Sequence, residues 1–131
     1  MKLLLDTHIW IWNHLEPWKI TSEVTKELGD PGNELWLSPI SIWELVMLVE
    51  KKRLELHRDM GEWVEQSMRE LDLQEATFTS AVAHELRFTL LGYRDPGDRF
   101  LVATAKVYGL TLVTADQRLQ ELPGLSLLAN R

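Results

Sequence analysis

Asp95-Pro96-Gly97-Asp98-Arg99-Phe100-Leu101-Val102-Ala103-Thr104-Ala105-Lys106-Val107-Tyr108-Gly109-Leu110-Thr111-Leu112-Val113-Thr114-Ala115-Asp116 carries a helix and the strand that follows it in one stretch. Asp95 is suited to cap a helix whose first residue is Pro96, because proline lacks the amide that a first turn leaves unsatisfied anyway. The helix runs to about Tyr108 and stops at Gly109, as at a C-cap. Leu110 to Val113 then reads as a strand of apolar and β-branched residues, and Thr114-Ala115-Asp116 closes it with an acid.

The same grammar opens the chain. Lys2 to Leu5 is a short apolar run ending at Asp6, which predicts a buried strand that delivers an acid at its carboxyl end. A short turn or helix from Ile9 to Trp12 follows, and Pro17 breaks it. Thr21 or Ser22 can cap a helix to about Leu28. Asp30-Pro31-Gly32-Asn33 is a loop, Leu35 to Leu37 a second strand, and Ser38-Pro39 leads into a helix from about Ser41 to Lys52, with Glu44 in its first turn. Further helices are expected from about Arg58 to Leu71 and from Ser80 to Leu90. Leu91 to Arg94 reads as a loop, and a helical turn to Leu122 and a strand from Leu125 to Leu128 end the chain. Strands and helices alternate without repeats, which predicts an α/β fold with a mainly parallel sheet. Ligands of such sheets bind beyond the carboxyl ends of the strands, where Asp6 and Asp116 both fall.

At 131 residues and 45% hydrophobic content the chain suits one domain, residues 1–131, with a single core. No apolar run approaches the roughly 20 residues that span a bilayer, and Asp6 comes too early for a signal-peptide core, so a soluble cytoplasmic protein with no membrane partner is expected. The absence of cysteine excludes disulfides and thiolate ligands, leaving oxygen or imidazole for any metal and favouring magnesium or manganese. A formal charge of −6, from 14 Lys+Arg against 20 Asp+Glu, lacks the broad basic footprint of a nucleic-acid binder. That objection weakens if the acids converge on divalent cations, which would make them a cationic site for phosphate. No glycine-rich phosphate loop follows any strand, which excludes Rossmann-type cofactor chemistry.

Each acid has a structural explanation of its own. Asp6 and Asp116 can cap the helices after them, Glu44 can answer a helix dipole, and Asp98 is a favourable acid near the third position of its helix. Their conjunction is what points to chemistry. Two carboxylates about 4 Å apart repel by roughly 4 kcal/mol at an effective dielectric near 20, which calls for proton uptake or a cation. A divalent metal with open, water-filled positions suits phosphodiester hydrolysis.

Four segments, Leu3-Leu4-Leu5-Asp6-Thr7, Ser41-Ile42-Trp43-Glu44, Asp98 through Ala105, and Leu112-Val113-Thr114-Ala115-Asp116, resemble in order the four acidic motifs of PIN domains, nearly end to end. The likeness is strongest to VapC-type toxins of type II toxin–antitoxin pairs. It implies a PIN-like three-layer fold with the sheet flanked by helices. The activity it implies is that of a Mg2+- or Mn2+-dependent endoribonuclease, usually dimeric, restrained by a small VapB-type antitoxin. Carried over by position, Asp6, Glu44, Asp98 and Asp116 would be the catalytic and metal-site acids, with Asp6 and Asp98 the principal ligands. Thr114 matches the hydroxyl position just ahead of the fourth acid. Arg99 and Lys106 are candidate phosphate contacts, and Asp95 is left as a cap. The fourth motif ends in Asp where many members carry Asn, and Gly97 stands where this branch often has Phe.

The four histidines lack zinc-site spacing and read as structural or surface residues, with His8 held in reserve as a neighbour of Asp6. Trp10, Trp12 and Trp43 flank the first two motifs and are read as interface residues. A receiver domain would need a lysine near Thr114-Ala115-Asp116 and is disfavoured. A PIN-like binding module without activity is the remaining rival.

Overall fold

A computed structural model of the chain describes residues 1–89 and 95–131. Its centre is the run of three leucines in β1 (Lys2–Leu5). Side chains alternate across a strand, so Leu3 and Leu5 enter the core on one face of the sheet while Leu4 enters the core on the other, and all three are fully buried. β2 (Glu34–Leu37) and β4 (Thr111–Thr114) pair with β1 in parallel, Leu4 facing Trp36 on one side and Leu112 on the other. β3 (Gln74–Glu75) and β5 (Leu127–Ala129) extend the sheet to the order β3-β2-β1-β4-β5, every pair parallel.

Because the chain moves outward from β1 through β2 to β3 and then returns to β4 on the far side, its crossovers change face. Right-handed connections require this. α1 (Thr7–Leu15), α2 (Ser22–Gly29), α3 (Pro39–Glu50) and α4 (Met60–Glu70) cover the Leu3 and Leu5 face. α6 (Pro96–Tyr108) and α7 (Gln117–Gln120) cover the Leu4 face, with α5 (Ser80–Glu85) packed on α6. The result is the expected three-layer α/β fold, and β1 and β4 flank the point where the topology reverses. Among the described residues no helix is long and apolar enough to cross a membrane.

The sequence reading of α6 holds at both ends: Asp95 Oδ1 accepts from Gly97 N at 2.9 Å, and Gly109 takes the left-handed conformation (φ 65°) as the C-cap. Other boundaries moved. α1 begins directly after β1 rather than at Ile9, with Trp10 N bonded to Asp6 O at 3.0 Å. α3 starts at Pro39 because Ser38 caps it, so Glu44 lies in the second turn and not the first. β3 was not anticipated: both of its residues are exposed and polar, and besides the backbone pairing the Gln74 amide donates to Glu34 Oε1 of β2 at 3.1 Å. α5 stops at Glu85 and passes into a 3-10 turn, Leu86–Phe88, so the expected helix to Leu90 is shorter. The end of that expectation, and the loop expected at 91–94, lie outside the described residues.

The earlier start of α1 also corrects the reading of Trp10 as an interface residue. Trp10 points to the core, fully buried, with its indole N–H donating to Ser67 Oγ (2.8 Å) and its ring edge-on to Trp63 at 5.3 Å. Trp10→Ala is therefore expected to cost about 3–5 kcal/mol of stability, measured by urea unfolding.

Candidate active site

β1 and β4 end side by side, and the residues just beyond them are joined by one hydroxyl. Thr114 Oγ1 donates to Asp6 Oδ2 at 2.6 Å and accepts from Asp116 N at 3.0 Å. Asp6 makes no side-chain cap bond to α1, and its carboxylate reaches across to β4. From the other direction α3 and α6 meet the same point. Thr7 Oγ1 donates to Glu44 Oε1 (2.7 Å) and contacts Ser41 Oγ at 2.8 Å, while Asp98 is buried in the first turn of α6. Asp6, Glu44, Asp98 and Asp116 thus line one cleft of about 330 Å³, together with His8, Trp12, Asp95, Ala115 and Arg118.

Burial and crowding disturb the ionisation of three of these acids in the same direction. Asp98 is pushed up to about 7, first by burial and then by the charges of Asp95, Asp6, Asp116 and Glu44. Burial also raises Asp6 and Glu44, against the opposing hydrogen bonds from Thr114 and Thr7. Asp116 goes the other way, held low by its bonds to Arg118. Apart from Arg118, which lies 3.6 Å from Asp98, no lysine or arginine among the described lining residues neutralises these three carboxyl groups. Hard oxygen donors in that condition suit a divalent cation such as magnesium or manganese. Among the described residues no three acids or imidazoles are gathered into a ready-made cage. The hydrogen bonds explain this: Asp6 is turned onto Thr114, Glu44 onto Thr7 and Asp116 onto Arg118.

Gly97 has a role here that its sequence position did not disclose. A Cβ at Gly97 would lie 2.9 Å from the Glu44 carboxyl carbon, so the absence of a side chain is what lets Glu44 rest against the start of α6. Asp95, expected to be only a cap, does cap α6 but also lines the cleft and raises both Glu44 and Asp98. Arg118 was missed. Its one sequence signal was its place two residues after Asp116.

Arg99 takes a different task from the phosphate contact expected of it. Its guanidinium donates to Leu86 O (2.9 Å) and Thr89 O (3.2 Å), satisfying carbonyls of the 3-10 turn after α5, and it does not line the cleft. Lys106 is exposed, in a separate hollow beside Gly109 and Gly124. His8 and Trp12 stand at the cleft, and they also line an adjoining groove of about 590 Å³ that holds Trp18, which is 75% exposed.

Residues 3–125 match the family model described as PIN domain. The chain is 31% identical over 121 residues to Ribonuclease VapC22 of Mycobacterium tuberculosis, covering 90% of this chain and 89% of that protein. Among solved structures it is similar to VapBC2 from Rickettsia felis bound to a DNA fragment from their promoter (TM-score 0.70, 20% identity, all of both chains). A similar likeness is found to DNA-bound VapBC from Salmonella typhimurium (TM-score 0.70, 19% identity, 98% of each chain).

The ionisation of Asp98 has a measurable consequence. Its pKa in the fold is about 7 against an ordinary 3.8, so between those values the folded chain binds the extra proton. The contribution to stability is full below about pH 3.8 and is lost as the pH rises through 7. In EDTA at pH 8, Asp98→Asn should melt higher than wild type by roughly 2 kcal/mol, on the order of 5–10 °C. The gap should narrow as the pH is lowered towards 4, as read by thermal denaturation.

Proposed function

The chain belongs to the PIN domain family, and from that premise we propose that residues 1–131 form a single PIN domain acting as a divalent-metal-dependent endoribonuclease, the toxin of a toxin–antitoxin pair. The observation that carries this reading is the convergence on one cleft of Asp6, Glu44, Asp98 and Asp116, acids from four separate segments, three of them with raised pKa. Likeness to a named ribonuclease over most of both chains supports the activity.

Asp6 and Asp98 would be the principal ligands of one Mg2+ or Mn2+, with Glu44 and Asp116 completing the site directly or through water. When bound, the cation lowers the pKa of the attacking water and offsets charge on the scissile phosphate. The protein supplies orientation. Thr114 fixes Asp6, Thr7 fixes Glu44, and the α6 start holds Asp98 beside both. Water adds in line to phosphorus as the bond to O3′ breaks and O3′ takes up a proton, leaving a 5′-phosphate and a 3′-hydroxyl. No side chain needs to form a covalent intermediate.

The protein acts in the cytoplasm, as a homodimer restrained by a VapB-type antitoxin. The groove running from His8 and Trp12 past Trp18 supports an extended partner lying beside the acid cleft. The structural neighbours named VapBC support the same kind of partner.

The decisive assay is cleavage of a mixed RNA substrate by antitoxin-free protein with Mg2+, Mn2+ or EDTA. Cutting that needs the metal and falls on the order of 100-fold or more in Asp6→Asn and Asp98→Asn is expected. Folded wild type that cuts none of a diverse RNA set with either metal would instead favour a binding module without activity. A second variant separates geometry from stability. Gly97→Ala should leave the fold within about 1 kcal/mol of wild type, since only the flexible end of Glu44 must move. Cleavage should nevertheless fall roughly 10- to 100-fold because that acid is displaced, as measured by initial rates.

A further inference from the structure

Arg118 occupies the acid cleft in a way that a local cap does not require. Its Nε donates to Asp116 Oδ1 (3.1 Å) and its Nη2 to Asp116 Oδ2 (2.8 Å), so one guanidinium takes both carboxylate oxygens in a fork. The same Nη2 lies 3.6 Å from Asp98 Oδ2, on a helix twenty residues earlier in the chain. Among the described residues that line the cleft, Arg118 alone is a permanent cation. We propose that Arg118 is a resident counter-ion of the cleft, competing with the divalent cation for Asp116 and Asp98 and thereby setting how tightly that cation is held.

The inference rests on the metal-site reading of the cleft and adds a regulator to it. While the fork is closed both Asp116 oxygens share their charge with the guanidinium and are poorer ligands for a cation, and a guanidinium and a divalent ion beside Asp98 repel each other. The apparent affinity is then the intrinsic affinity reduced by the fraction of molecules in which the fork is open. Opening is feasible because the Arg118 side chain is 58% exposed and leaves from α7, a helix of four residues. An exposed ion pair is weak enough to yield to a divalent ion, yet in its absence it neutralises part of a crowded acid cluster.

A plain surface pair between Asp116 and Arg118 would be indifferent to metal, and that difference can be measured. Titration calorimetry with MnCl2 on the full chain should find Arg118→Gln binding Mn2+ about tenfold more tightly than wild type, about 1.4 kcal/mol. Arg118→Lys, which keeps the charge but loses the fork, should fall between them. In EDTA, Arg118→Gln should melt below wild type, and Mn2+ should raise its melting temperature by a larger increment. Equal Mn2+ affinity in wild type and Arg118→Gln would overturn the competition while leaving the nuclease reading intact. Weaker binding in the variant would also overturn it, making Arg118 a support for Asp116. If neither protein binds Mn2+ at millimolar concentration, the metal-site reading falls, and the competition falls with it.

Discussion

A strand buried on both faces can emerge from the core only at its ends, and the first polar group after β1 is the Asp6 carboxylate. Leu3, Leu4 and Leu5 are locked between two helical layers and two parallel neighbours, so packing sets where Asp6 emerges, and its bonds to Val113 O and Thr114 hold it there. The same register brings Leu5 opposite Val113 and therefore brings Thr114 within 2.6 Å of Asp6. With that pair set, α3 and α6 need only deliver one acid each to the same end of the sheet, which they do from opposite layers.

Four acids brought together in this way oppose folding. Burial and mutual repulsion raise three of them, and the chain answers with hydroxyl donors at Thr7 and Thr114 and with the guanidinium of Arg118. These partners hold the carboxylates apart in distinct directions. A site that is costly in the absence of cation and satisfied in its presence couples metal binding to stability, because whatever binds the folded chain preferentially also stabilises it. The formal charge of −6 takes a different meaning in this light. A divalent ion held among these acids would put a local positive charge where a phosphate could approach.

Much of this was legible in the sequence because the signals are local. The cap, proline and glycine of α6, the apolar run of β1 and the acid after each of β1 and β4 follow from steric and hydrogen-bonding preferences within a few residues. The parallel α/β class follows from their alternation, and the order of the four acidic motifs marked the family. Local signals failed where pairing or packing chose among equal options. β3 is two polar residues recruited by the free edge of β2, and the start of α3 turned on Ser38 capping ahead of Pro39.

The sequence by itself determined which acids are present, which segments carry them and that no thiolate ligand competes with them. Only the tertiary structure decided what surrounds them: that Trp10 faces the core, that Gly97 makes room for Glu44, that Arg99 serves the 3-10 turn after α5 and that Arg118 serves Asp116 and Asp98. The reason is one of range. Caps, turns and strand alternation are written within a few bonds of each residue, whereas the partner of a charged side chain is selected by elements brought together across the sheet, and an arginine reads alike in sequence whichever carbonyl or carboxylate it will meet.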